Sequence, residues 1–326
     1  MHIYQIWKRR GLNPSIKDRR AEMAILVDQN TEILIQGITG REATIRAGVM
    51  KGYGTKVVCG VTPGRGGSEV NGIPVYNTVE EAKEKHPNVS VTTVFVAARL
   101  AKEAALEALD ARIKVVVMIP ERLPHQDMLE IIEKARSTKA TVLGPNCIGI
   151  VSPGKALIGM IGGTPDLART IFKEGYCGVL SRSGGHTTTV SFYLTQAGVG
   201  QSTSIAIGGD AFVGSTFIDL LPLFEKDEQT KAVAAFGEIG TTIEEDAARL
   251  IKEGKFTKPF VIYLAGKYTR SDTRFGHAGA VISRGRGTIV EKERVLREAG
   301  AYIVDHLGEI GEVVKRALAE RGIKVD

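Results

Sequence analysis

Glu32-Ile33-Leu34-Ile35-Gln36-Gly37-Ile38-Thr39-Gly40-Arg41-Glu42 joins an apolar β-branched run to a glycine turn and a helix start. The run is too short and too apolar for an amphipathic helix, so it reads as a strand with both faces covered. Gly37 and Gly40 let the backbone turn sharply and come close to a ligand. The helix that follows presents free N–H groups and a positive dipole end to an anion. A strand, a glycine turn and a helix in that order form the opening unit of an α/β sheet.

Outward from that unit the same alternation continues. Residues 56–60, 91–97, 114–119 and 140–144 read as further strands, and 78–86, 100–110 and 124–137 as amphipathic helices between them. That pattern predicts a doubly wound, Rossmann-like parallel sheet. Gly144-Pro145-Asn146-Cys147-Ile148-Gly149 interrupts it, with Ser152-Pro153-Gly154 close behind. Gly and Pro punctuate the chain there, so a domain boundary is placed after residue 147. Beyond it, residues 177–181, 201–207, 231–237, 259–265 and 301–304 read as strands. Residues 185–196, 216–225, 243–252, 288–298 and 307–321 read as helices. The expectation is a second α/β domain, flavodoxin-like, over 148–326, after a first domain over 23–147 and a basic extension over 1–22.

Charge narrows the function classes. The formal net charge is +6 over 326 residues. Residues 1–22 alone carry +4 of it, and no basic stripe with interleaved aromatics occurs in the body, which argues against nucleic acid as partner. No apolar run approaches the ~18 residues of a membrane helix, and no secretory leader is visible, so a cytoplasmic protein without a membrane partner is expected. Cys59, Cys147 and Cys177 are far apart and make no C-x-x-C pair, so neither a disulfide framework nor a metal site is expected.

Four more segments have the chemistry of a site. Val61-Thr62-Pro63-Gly64-Arg65-Gly66-Gly67 is a glycine loop with one Arg at the same sheet end as Gly37; it is either a second phosphate contact or an exposed loop. Ser181-Arg182-Ser183-Gly184-Gly185-His186 again ends a strand and opens a helix, as an anion site or as a plain capped helix. Glu238 closes a predicted strand, where α/β ligand sites lie, as an orienting carboxylate or a solvated one. His277 stands in Arg274-Phe275-Gly276-His277-Ala278-Gly279-Ala280, bracketed by small residues that leave its ring approachable. A neutral imidazole is a competent nucleophile near pH 7, although a lone His is as readily structural. His186 is the competing candidate. There is no G-x-x-x-x-G-K-[ST], and the full dinucleotide G-x-G-x-x-G is missing, which disfavours a redox enzyme. A regulatory module that binds a nucleotide-like ligand without phosphotransfer fits the glycine loops equally well, but makes no use of His277 and Glu238.

Taken together and in order, Val61-Thr62-Pro63-Gly64, Gly144-Pro145-Asn146, Ser181-Arg182-Ser183-Gly184, Ile207-Gly208-Gly209-Asp210, Gly237-Glu238-Ile239-Gly240 and Gly276-His277-Ala278-Gly279-Ala280 resemble the alpha-subunit family of succinate–CoA ligase. The likeness runs from Met23 to the C-terminus. It implies an acid–thiol ligase in which His277 takes the γ-phosphate of ATP or GTP. The phosphate then passes to a carboxylate, and the CoA thiol attacks the acyl phosphate. It implies Glu238 as the partner of His277, and a phosphate site at Ser183, Gly184 and Gly185. It also implies CoA contacts at Thr39, Gly40, Arg41, Glu42, Arg65, Ile119, Pro120 and Glu121. Arg65 falls where the family usually has Lys, and Pro120 where it usually has Thr. The nucleotide and Mg²⁺ are expected mainly on a beta, ATP-grasp partner, in a heterodimer or heterotetramer.

The carboxylate is read from departures. Succinate enzymes usually continue Ser-Gly-Thr-Leu-Thr-Tyr-Glu where this chain has Ser183-Gly184-Gly185-His186-Thr187-Thr188-Thr189. The smaller Thr188 and Thr189 suit a bulkier polyacid, and Ser-Gly-Gly resembles the matching part of ATP-citrate lyase. No citrate-lyase-type cleavage domain follows before Asp326. The first expectation is therefore a citrate-activating subunit, like the small subunit of citryl-CoA synthetase; the alternative is succinate.

Overall fold

A computed structural model describes residues 25–267, 277, 279, 280 and 287–325. The basic segment 1–22, and Arg274, Phe275, Gly276 and Ala278 beside His277, lie outside the described residues.

The first sheet holds β1 (Glu32–Gln36), β2 (Lys56–Val61), β3 (Glu69–Val70), β4 (Ile73–Tyr76), β5 (Val89–Val94), β6 (Val115–Met118) and β7 (Thr141–Leu143), in the spatial order β3-β4-β2-β1-β5-β6-β7. All neighbours run parallel except β3 against β4. Without β3, the order is that of the dinucleotide-binding doubly wound fold. The inner strands β1, β5 and β6 form because their side chains are largely β-branched or apolar and are buried on both faces; every residue of β6 is buried. Each such fully buried side chain contributes roughly 1.5–3 kcal/mol.

The second sheet holds β8 (Gly149–Ser152), β9 (Ala156–Gly159), β10 (Glu174–Ser181), β11 (Gln201–Ala206), β12 (Ala232–Glu238), β13 (Phe260–Ala265) and β14 (Tyr302–Val304). Its order is β14-β13-β12-β10-β11-β8-β9. The five strands from β10 onward are parallel and follow the flavodoxin order. The expected alternation did not include β8 and β9. They form an antiparallel hairpin on the edge of this sheet, so the sheet is mixed. Ser152-Pro153-Gly154, read as boundary punctuation, is the turn of that hairpin. Gly149 (φ +125°) is required in it, since a Cβ there would lie 1.9 Å from the Ile158 carbonyl oxygen.

Helix α1 (Arg41–Tyr53) joins β1 to β2 and packs on β9 and on α5 (Pro165–Ile171). The intervening helices are α2 (Val79–Lys85), α3 (Ala101–Asp110) and α4 (His125–Thr138). Thr55, just past α1, donates to the Leu157 carbonyl at 2.8 Å and accepts from the Leu157 N–H at 2.9 Å, tying the two sheets' surroundings together. One apolar cluster accordingly runs from Ile33 and Leu143 through Ile158 to Phe217 and Leu296. The three cysteines are buried and unpaired; burial pushes the thiols of Cys59 and Cys147 up to about 12. Among the described residues no helix is long and apolar enough to cross a membrane.

Candidate active site

The strand order of each sheet reverses once, and α/β folds bind ligands outside the carboxyl ends of the strands at such points. In the first sheet the reversal lies between β1 and β5. The Gly37 N–H donates to the Val61 carbonyl at 2.7 Å and the Phe95 N–H to the Gln36 carbonyl at 2.9 Å, so the turn after β1 is fixed from both sides. Gly37 has φ +79°, and a Cβ on it would lie 2.5 Å from the Phe95 carbonyl oxygen. Gly40 is the N-cap of α1 and no side chain caps that first turn. Its N–H groups therefore face an open approach lined by the exposed Thr39, Gly40, Arg41 and Glu42.

The structure joins the second glycine loop to this turn. Thr39 Oγ1 lies 3.2 Å from Thr62 Oγ1. Asn77 Oδ1 accepts from the N–H groups of Gly64 and Gly66, each at 3.0 Å, and so shapes the loop that carries exposed Arg65. Glu42 does not stand free; its Oε1 pairs with Arg46 Nε at 2.6 Å. Ile119, Pro120 and Glu121 follow β6 at the same edge, with β5 between them and β1. The Pro120 carbonyl accepts from the Asn146 N–H at 2.7 Å.

In the second sheet the order reverses between β10 and β12. Ser181 ends β10, Glu238 ends β12, and α6 (Gly184–Gln196) starts directly after Ser183. Glu238 is not a solvated loop residue; it is 7% exposed. Its Oε2 lies 2.8 Å from Nδ1 of His277, whose side chain is 26% exposed. The neutral His277 ring that donates Nδ1–H to this carboxylate keeps its lone pair on Nε2. The hydrogen bond to Glu238 raises the His277 pKa above its ordinary value; burial opposes, and the Glu238 charge adds to the rise.

Small residues seat the ring. A Cβ on Gly209 would lie 2.5 Å from His277, and the Gly279 N–H donates to the Gly209 carbonyl at 3.1 Å. At the start of α6 the Ser183 side chain makes no cap; its hydroxyl instead lies 2.9 Å from His186 Nδ1. Gly184 is pressed against Ile148, where a Cβ would come within 2.5 Å, while Gly185 faces open space. His186 stacks on Phe236 at 4.0 Å between ring centres. Its pKa is lowered, first by burial and then by nearby His277. The rival histidine thus rests on a ring and a hydroxyl, while the carboxylate faces His277.

Two residues of this site had no role in the sequence reading. Arg182 is fully buried; its Nη1 lies 3.3 Å from Glu238 Oε1 and donates to Thr241 Oγ1 at 2.9 Å. Its Nη2 donates to the Asp210 carbonyl at 3.3 Å. The Asp210 carboxylate accepts from the Arg122 N–H at 2.8 Å and from Asn146 Nδ2 at 3.2 Å, linking the floor under His277 to the first domain. Their signals were in the chain, Arg182 between two serines at a strand end and Asp210 after Gly208-Gly209. A buried partner is invisible without the fold. No group of three or more His, Cys, Asp or Glu among the described residues is placed to hold a metal ion.

Residues 28–122 match the CoA binding domain family and residues 180–302 the CoA-ligase family. The chain is 48% identical over 297 residues to the succinate–CoA ligase [ADP-forming] subunit alpha 1 of Archaeoglobus fulgidus, an alignment covering 91% of this chain and 99% of that one. It belongs to the succinate–CoA ligase alpha-subunit family. The Aquifex aeolicus alpha subunit is 46% identical, over 91% of this chain and 95% of that one. Among solved structures, ATP citrate lyase from Methanothrix soehngenii in complex with citrate and coenzyme A superposes with a TM-score of 0.84 at 28% identity. That match covers 91% of this chain, which spans about half, 52%, of the lyase chain. The ligase alpha chain therefore pairs a CoA-binding domain with a CoA-ligase domain, and CoA is its substrate. All the residues expected to hold CoA lie within the first matched region, and Ser183, Glu238 and His277 within the second.

Proposed function

We propose that this chain is the alpha subunit of an ADP-forming succinate–CoA ligase in which His277 carries the phosphoryl group. The observation that carries the reading is the 2.8 Å pair of His277 Nδ1 and Glu238 Oε2 at the strand-order reversal, beside the start of α6. Glu238 holds the tautomer whose Nε2 lone pair attacks the γ-phosphorus of ATP; the bond to ADP breaks as the N–P bond forms. N–H groups at Gly184 and Gly185 offer charge stabilisation to the phosphate, with Ser183 beside them. A carboxylate oxygen then takes the phosphoryl group and returns the lone pair to the ring. The CoA sulfur attacks the acyl carbon and inorganic phosphate leaves. CoA lies along Thr39–Glu42, Arg65 and Ile119–Glu121. The nucleotide and Mg²⁺ sit mainly on a beta partner, in a heterodimer or heterotetramer.

Succinate is the better-supported carboxylate. Relatives named succinate–CoA ligase align over almost the whole chain at 42–48% identity, against 28% for ATP citrate lyase. The expected citrate reading takes second place. It retains one specific observation, namely Ser183-Gly184-Gly185 with Thr188 and Thr189 where succinate enzymes carry larger residues. A CoA-ligation assay with the beta subunit, comparing the two acids, tests this. Faster turnover of succinate is expected. Faster turnover of citrate would move the substrate and leave the ligase chemistry in place.

A further inference from the structure

Glu244 and Lys292 are fully buried, and nothing in the phosphoryl-transfer steps uses them. Glu244 lies in the first turn of α7 (Ile243–Lys252), and Lys292 on α8 (Ile289–Glu298), which packs against α7. They form an ion pair through Glu244 Oε2. Glu245 Oε2 stands 3.6 Å from the same ammonium. Such a pair gives up its hydration on burial, and its own attraction often does no more than offset that loss. Stability alone is therefore a weak reason for it.

Its remaining hydrogen bonds show where it acts. Glu244 Oε1 accepts from the backbone N–H of Glu238 at 3.0 Å. Lys292 Nζ donates to the carbonyl of Gly240 at 2.7 Å. The pair thus grips both ends of the turn Glu238-Ile239-Gly240. That turn needs holding, because Gly240 (φ +83°) is followed by Thr241 at φ +50°, a conformation costly for a β-branched residue. Gly237 is small for the same reason, since a Cβ on it would meet Glu244 Oε1 at 2.7 Å.

We propose that Glu244 and Lys292 are positioning residues that hold the Glu238 carboxylate against Nδ1 of His277. The proposal rests on His277 as the phosphate acceptor. It assigns the buried pair to orientation of the histidine ring, through the backbone of the residue that orients it.

The test replaces the pair together, Glu244→Leu with Lys292→Met, in the full chain with its beta subunit, so that no buried charge is left unpaired. Transfer of ³²P from ATP to His277 and the ¹⁵N spectrum of the His277 ring are measured, with thermal unfolding as the check of folding. The folded variant is expected to label about tenfold more slowly or worse. Its ring spectrum is expected to change from one tautomer with the lone pair on Nε2 to a mixture. Glu244→Gln with Lys292→Met keeps an acceptor for the Glu238 N–H and is expected to fall between that variant and the unsubstituted protein. A folded Leu/Met variant with the unsubstituted rate and spectrum would overturn the proposal. Should that variant not fold, an unsubstituted rate and spectrum in the Gln/Met variant would overturn it instead. If the unsubstituted protein takes no label, the role of His277 fails on its own, and the ring spectra of the variants still decide the positioning.

Discussion

Arg182 Nη1 lies 3.3 Å from Oε1 of Glu238, and the other oxygen of that carboxylate faces His277. A fully buried guanidinium thus stands behind the carboxylate. An Nδ1–H facing that carboxylate leaves the Nε2 lone pair of the histidine free. Arg182→Met leaves Glu238 buried without its cation. The expected cost is about 3–5 kcal/mol of folding stability, read as a lower denaturant midpoint. An unchanged midpoint would show that the guanidinium does not support Glu238.

Glu238→Gln removes the charge and lets the amide present either a donor or an acceptor to Nδ1. Histidine labelling by ATP is expected to slow by about 10–100-fold, by analogy with the loss of a carboxylate behind a metal-bound histidine. Rapid-quench labelling of the chain with its beta subunit measures it. A rate within twofold of the unsubstituted protein would remove Glu238 from the mechanism.

The acidity of His277 gives a signed pH dependence. Its folded pKa is raised above the ordinary ~6.5, chiefly by the hydrogen bond to Glu238. Asp210 raises it further, while burial and Arg182 oppose; His186 lies nearby. The attacking ring must be neutral, so labelling should fall as pH drops through a midpoint above ~6.5. The linked stability has the opposite sense. It is fully present below the unfolded pKa and is lost as pH rises through the folded one. Titration of the His277 ring by NMR, with and without Glu238→Gln, checks both; the substitution should lower the midpoint.

Gly209→Ala places a methyl only 2.5 Å from the ring of His277 as it now sits. The ring must move, and a displacement of about 1 Å in a reacting group costs on the order of 10²-fold in rate. CoA affinity should be unchanged, so calorimetric binding of CoA beside labelling of His277 separates a seat effect from misfolding.

Gly37→Ala acts at the other strand-order reversal. The new Cβ meets the Phe95 carbonyl, and a φ of +79° strains any L side chain. A loss of about 1–3 kcal/mol in stability and a weakening of CoA binding by about tenfold or more are expected. Histidine labelling by ATP should persist in the folded fraction. Unaltered CoA binding would place the cofactor-sized substrate elsewhere.

The parallel strands could be read from the sequence because burial on both faces left continuous apolar runs, as in Val115-Val116-Val117-Met118. The β8–β9 hairpin could not, because its strands are four residues each and its Ser-Pro-Gly turn has the composition of a linker. His277 and Glu238 could be singled out separately, one by its small neighbours and one by its place at a strand end. Their 2.8 Å contact depends on a crossing between chain segments 39 residues apart. Arg182 and Asp210 stood in recognisable segments, but their roles, like those of Glu244 and Lys292, could not be read there. Each is a charged residue whose meaning comes only from being buried, and burial of a charge is set by the fold around it. The choice of carboxylate turned on Thr188 and Thr189, where a two-residue departure weighed against likeness along the whole chain.

The most direct test of the account is the site of acid-labile phosphate after the chain and its beta subunit are incubated with ATP and Mg²⁺. Peptide mass spectrometry under alkaline conditions should place one phosphoryl group on His277, and His277→Asn should abolish both the label and CoA ligation. Phosphate on His186, or full CoA ligation by the His277→Asn protein, would contradict it.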